Sequence, residues 1–256
     1  MTAGPPLSLP SAGPDPLPWD TAVAAVLGYT RGRRPLWFRS PSRPEGRWVR
    51  IPAFGYERFD RRPVSAAPLG EPDILVAEGL HGRLDRERWA AMKSVLDDVA
   101  PLAAAAADRA DGRPFGELPD AEFSVLAEPG TVGEELRRIW QHCEVTPGAD
   151  PAYVTAALHH RRPSLFPLVS RPTRWHLLPH VREGDSGVEA VIHREIRANR
   201  TAFGVLRERA AEHLDDGTPL TVVRLHDVLL WLSATLRLSH AVALGQAEAH
   251  PGSRPV

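Results

Sequence analysis

Between Pro151 and Arg182 the chain carries Arg161, Arg162, Arg171, Arg174 and Arg182, together with His159, His160, His176 and His180. The same window has no Asp or Glu. A one-sided stretch of this kind raises the local positive potential and attracts phosphate or another acidic partner. Gly148, Arg161, Arg162, Arg171 and Arg174 are therefore candidate ligand-binding residues. Asp227, beside His226 in an apolar run, joins them as an acid at the floor of a pocket lined by the patch. The bland alternatives stand beside these readings. Of the 31 basic residues all but Lys93 are arginine, and an arginine-rich face is often only solvated. A buried Asp227 must be paired, with Arg224 or an arginine of the patch as its partner.

Other chemical signals are weaker. Gly184-Asp185-Ser186-Gly187 matches the string around a serine-protease nucleophile, but a mainly helical chain cannot build the barrels that chemistry needs, and helix capping explains Asp185 and Ser186 better. His176 and His180 are four apart, yet Pro179 lies between them. Neither that pair, nor His159-His160, nor His142-Cys143, has a third donor nearby, so no metal site is expected. The single cysteine, Cys143, leaves no internal disulfide and no four-cysteine metal or iron–sulfur centre.

These residues need elements to hold them. Thr146-Pro147-Gly148-Ala149-Asp150-Pro151 is dense in turn formers. Asp150 is placed to cap, and Pro151 to begin, a helix through Tyr153, Val154, Ala157 and Leu158. Pro163 ends it, and Leu165, Phe166, Leu168 and Val169 form an apolar knot that must be buried. Upstream, a helix from Pro72 to Leu80 precedes one that begins at Asp85 and carries Trp89, Met92, Val95, Leu96, Val99 and Leu102. Pro101 should kink or end it. Thr131 to Glu134 reads as a capping box before Leu136, Ile139 and Trp140, and Ser186 to Glu189 as another before one long helix reaching Leu214. Thr221 caps a last helix through Leu225, Val228, Leu229, Leu232 and Leu236. Near the start, Asp20 caps a short helix stopped by Gly28. Pro35–Phe38 and Arg47–Ile51 suggest a small β-hairpin. Its Trp37, Phe38 and Trp48 either stack nucleobases or, as large aromatics usually do, pack on the helical body.

Taken in order, these motifs resemble a bacterial family of unknown function. Its features are a Gly-Val-Gly-Pro hairpin, a helix ending in a basic Arg-Pro pair, and Leu-x-Pro-x-x-Asp. The hairpin portion of that family is in turn similar to helix-hairpin-helix DNA glycosylases. Gly148 takes the first glycine and Pro151 the proline. Arg161, Arg162 and Pro163 take the basic pair, and Leu165 and Pro167 the following motif. Phe59-Asp60 with Pro72 to Ala77 resembles the family's opening segment, and Leu220 to Trp231 its last helix. Two departures matter. Asp150 replaces the second glycine and puts a carboxylate where a phosphate oxygen should sit. Ser170 replaces the aspartate that would stabilise an oxocarbenium-like charge or activate water. Lyase-type glycosylases also use a hairpin-helix lysine, and Lys93 is far away in sequence. The resemblance thus implies a glycosylase-like scaffold that has lost its chemistry.

The remaining bounds are ordinary. The chain has 256 residues, 43% hydrophobic and 25% charged, with a formal charge of −1. No apolar run reaches the roughly 20 residues of a membrane span, and the first residues have neither a basic nor an apolar leader region, so the cytoplasm is the default. The expected architecture is all-α: a single helical domain of the helix-hairpin-helix glycosylase type over residues 56–244. Before it lie a disordered tail (1–18) and an extension holding a short helix and β-hairpin (19–55); a second disordered tail (245–256) follows. The expected function is a non-catalytic binding module for an anionic ligand, nucleic acid first, with no cofactor and no membrane association. A protein-interaction or accessory factor whose proline-punctuated loop binds a partner, and an enzyme with displaced catalytic groups, are the alternatives.

Overall fold

The computed structural model describes residues 4–126, 129–214 and 220–249. Helices dominate, and the strands form a single antiparallel ribbon, β1 (Arg33–Ser40) with β2 (Arg43–Pro52), Trp37 opposite Trp48. The helices are α1 (Trp19–Arg31), α2 (Glu71–His81), α3 (Arg86–Ala110), α4 (Val132–Val145), α5 (Pro151–Arg161), α6 (Arg171–Leu177), α7 (Val188–Ala198), α8 (Arg200–Ala211), α9 (Val222–Ala234) and α10 (Leu238–Ala249). Among the described residues no single helix is long and apolar enough to cross a membrane.

Local signals set many of the boundaries. Asp85 accepts the Arg88 amide at the start of α3, Thr131 that of Glu134 in α4, Asp150 that of Ala152 in α5 and Thr221 that of Arg224 in α9. At Thr131 only half of the capping box forms, because the Glu134 carboxylate accepts the Gly130 amide instead. Pro101 neither ends nor splits α3. Val99, Ala103 and Ala106 on either side of it are buried, and that packing outweighs one missing amide.

Several expectations are corrected. The single long helix expected up to Leu214 is two, α7 and α8, divided at Asn199. The reason is a contact distant in sequence: the Asn199 side-chain amide accepts from Ser8 N and donates to Ser8 O, both at 2.7 Å. The same contact shows why residues 4–18 are not a free tail. Leu7 and Leu9 are buried in the core, Leu7 pairs with Leu17, and Ser11 donates through its amide and hydroxyl to Glu195. The start of α7 is also simpler than expected: it follows Gly187 without a side-chain cap.

Gly28 does not stop α1, and Gly245 does not open a tail. The two glycines meet where α1 crosses α10. A Cβ on Gly28 would stand 1.8 Å from the Ala241 carbonyl oxygen, and one on Gly245 would stand 1.9 Å from that of Ala24. Here glycine serves backbone-to-backbone approach rather than termination. Gly28→Ala is expected to cost about 1–3 kcal/mol, the usual range for overpacking, read as a lowered Tm; an unchanged Tm would mean the helices separate freely. Residues 250–256, the rest of the expected tail, lie outside the described residues, as do residues 1–3.

The N-terminal ribbon carries the clearest departure. The aromatics expected to pack on the helical body point outward: Trp37, Phe38 and Trp48 are 42%, 46% and 68% exposed.

Candidate nucleic-acid interface

The turn at Pro147–Asp150 joins α4 to α5, with Gly148 in the left-handed region at φ 80°. A Cβ there would meet that of Ala91 at 3.1 Å, so the turn rests on α3. Two of its amides are already engaged. Ala149 N–H donates to the Thr146 carbonyl and Asp150 N–H to the Met92 sulfur. The Asp150 carboxylate caps α5 and also pairs with Arg88 at 3.2 Å. The turn thus keeps only the Gly148 amide without a partner among the described residues, fewer than the row of amides by which such turns hold phosphate. An anion site here would be built mainly by side chains.

The arginines of the acid-free window divide into two groups. Arg161 is turned into the molecule. It donates to both Asp73 oxygens, at 2.5 and 2.7 Å, and to the carbonyls of Ser65, Ala67 and Pro68. It clamps the loop before α2 to the end of α5, and its removal would test stability rather than binding. Arg162 next to it is exposed. Arg171 and Arg174 are brought together on α6, along a cleft of about 690 Å³ that runs past Gly148. Arg174 lies over the Trp140 ring, 4.6 Å from its centroid. Neither Arg171 nor Arg174 makes an ion pair among the described residues. Trp175, 72% exposed, stands between them and Leu178 on the same cleft. Glu144 also lines the cleft, as does Cys143, whose thiol burial pushes up to about 12, too high for a nucleophile at neutral pH.

Ser170 holds the head of this helix. Its hydroxyl accepts the Thr173 amide, and the Thr173 hydroxyl accepts the Ser170 amide. Thr173 and Leu177 then face the core and Arg171 and Trp175 face outward.

Asp227 is placed away from this cleft. It is buried and accepts the Leu168 amide at 2.9 Å, which anchors the proline-punctuated loop to α9. The ion pair foreseen with Arg224 is made instead with Asp60. Arg224 Nε lies 2.7 Å from Asp60 Oδ1, and the Tyr29 hydroxyl donates to Asp60 Oδ2 at 2.6 Å. Arg224 also sits over the Tyr29 and Phe59 rings. Burial opposes its charge, but Asp60 and Tyr29 outweigh burial and hold the guanidinium pKa above its ordinary range.

A second buried chain runs from Asp227 to the N-terminal segment. His226 Nε2 lies 2.7 Å from Glu195 Oε2, and Glu195 accepts both groups of Ser11. His226 Nδ1 is 3.9 Å from Asp227, so the attraction there is Coulombic rather than a hydrogen bond. Burial acts against the imidazolium, yet the two carboxylates prevail and hold its pKa at about 9. His159 is held the other way. Burial lowers its pKa, and its Nδ1 donates to the Phe166 carbonyl at 2.6 Å.

A further cavity of about 320 Å³ is lined by Phe59, Asp60, His159, His160, Thr221 and Arg224, among others. Its one carboxylate among the described residues is Asp60, and Arg224 and Tyr29 already hold that. The paired, free carboxylates that would favour an enzyme with displaced groups are not assembled among the described residues there. The residues that sequence reasoning passed over are Trp175 and Trp140. Trp175 was within reach, because it falls opposite Thr173 and Leu177 once Ser170 is taken as the cap. Trp140 was placed on α4, but nothing local pairs it with Arg174. Comparison with family models, with curated proteins and with solved structures found no match for this chain.

Proposed function

We propose that this protein is a non-catalytic binding module for an anionic ligand, nucleic acid foremost, and that the cleft between the Pro147–Asp150 turn and α6 takes that ligand. One observation carries the reading: an exposed indole, Trp175, stands over an open cleft beside Arg171 and Arg174, which make no ion pair among the described residues, Arg174 feeling only the longer-range attraction of buried Glu189. Guanidinium groups suit phosphate, and an exposed aromatic plane suits a base. The chemistry is binding alone, because Ser170 caps a helix, Cys143 is buried and Asp227 holds a loop amide.

One feature favours a protein partner as the second reading. Leu178, 39% exposed, adds apolar surface beside Trp175 on the cleft. Salt separates the two, since phosphate contacts weaken steeply with added salt and apolar contacts do not. Anisotropy titrations of labelled single- and double-stranded DNA and RNA over a salt series should show a steep salt slope. The variant Arg171→Ala/Arg174→Ala should weaken binding and reduce that slope by about two, one for each lost phosphate contact. Absence of binding at low salt would sink the nucleic-acid reading.

A further inference from the structure

The β1–β2 ribbon lies outside the cleft described above, and its composition asks for a partner. A two-stranded ribbon is at best marginal on its own, yet this one leaves aromatic residues uncovered on both faces. Alternation along the register puts Pro35, Trp37, Trp48 and Arg50 on one face, and Leu36, Phe38, Arg47 and Val49 on the other. Leu36, Trp37, Phe38 and Trp48 are all exposed.

Charge says what kind of partner covers them. Between Arg33 and Pro52 there are Arg33, Arg34, Arg39, Arg43, Arg47 and Arg50 against one acid, Glu45. Arg33 pairs with Glu57 at 2.5 Å. None of the other five has a carboxylate partner among the described residues. A cationic, aromatic surface fits a polyanion that also offers flat apolar faces.

The aromatic pair is held in place. Trp37 and Trp48 meet edge to face, with centroids 5.2 Å apart and planes at 65°. Trp37 lies against Gly46, where φ is 76° and a Cβ would stand 2.6 Å from the indole. That seat keeps Trp37 down against the ribbon and leaves Trp48 as the outer plane. A paired duplex keeps the faces of its bases stacked inside and shows only edges and phosphates, so it offers nothing to an open indole. An unpaired strand offers both phosphate and base faces.

We infer that the ribbon is a contact surface for single-stranded nucleic acid, with Trp48 and Trp37 stacking on bases while Arg34, Arg39, Arg43, Arg47 and Arg50 meet phosphates. This deepens the nucleic-acid reading above and rests on it for the class of ligand, but it uses different residues.

The test uses the full chain, a labelled oligo(dT) of about 20 nucleotides and a duplex of similar length. Trp37→Ala/Trp48→Ala should weaken oligo(dT) binding by roughly ten-fold or more, leave the duplex within about three-fold, and leave the thermal transition in place because both side chains are exposed. Gly46→Val, which would displace Trp37, should do the same more weakly. Unchanged oligo(dT) binding in the tryptophan variant overturns the inference. So does an equal loss for strand and duplex, and so does binding to anionic phosphatidylserine vesicles with no affinity for the oligonucleotide. If only the Arg171→Ala/Arg174→Ala variant loses binding, the ribbon fails and the cleft stands. If only the ribbon variant loses it, the cleft fails and the ribbon stands.

Discussion

Arg224→Met should destabilise the protein by about 3–5 kcal/mol, the range for removing one partner of a buried ion pair. Arg224 and Asp60 are both almost fully buried, and Arg224 and Tyr29 are the side chains that satisfy the Asp60 carboxylate. Methionine fills much of the same space over Tyr29 and Phe59, so the loss comes mainly from an uncompensated carboxylate rather than from a cavity. The sign of a second change separates these causes. Asp60→Leu on the Arg224→Met background should recover most of the loss, since replacing both members of a buried pair by apolar groups is often near neutral. Chemical denaturation of the single and double variants reads this directly. A single variant within about 1 kcal/mol of the parent would show that water reaches the pair and screens it.

The second large effect is a loss of stability in mild alkali. His226 has a pKa raised from 6.5 to about 9 in the folded protein. A raised histidine pKa contributes stability that is fully present below the unfolded value and is lost as pH rises through the folded value. The window is therefore about pH 6.5 to 9. Each tenfold gain in proton affinity on folding is worth about 1.4 kcal/mol, so the loss across this window is a few kcal/mol. The acid limb has the opposite cause. Burial lowers His81 to about 4 and also lowers His159 and His193. Groups kept neutral in this way reduce stability as pH falls below 6.5. Tm should thus peak near neutrality and fall on both sides. In His226→Gln the alkaline fall up to about pH 9 should largely vanish, on a lower overall Tm. An alkaline limb that survives this change would assign it to other groups.

Which features could be read along the chain follows from the range of the forces involved. Asp85, Thr131, Asp150 and Thr221 act on amides two or three residues away, so their helix starts were legible from neighbours alone. Pro163 ends α5 for the same reason. Where a contact spans the chain, local reading failed. Asn199 divides a continuous amphipathic pattern because Ser8 meets it, 191 residues distant. Gly28 and Gly245 read as terminators when each is viewed alone, and as a crossing point only when both helices are present.

The acid-free window shows the same division within the candidate site. Its positive charge was evident from residue types, since charge needs no partner to be counted. Whether each arginine is available depends on where carboxylates and carbonyls arrive from elsewhere. Arg161 meets Asp73 and three loop carbonyls, while Arg171 and Arg174 make no side-chain hydrogen bond or ion pair among the described residues. The ribbon followed the reverse course: strand residues and turn were legible, but the outward direction of Trp37, Phe38 and Trp48 was not. From the order of its residues alone, this chain had to be helical with a small β-hairpin, to bury Leu165 to Val169, and to carry a cationic loop. Packing across the chain chose which cations and aromatics stay at the surface, because burial and ion pairing depend on neighbours in space that adjacent residues cannot specify.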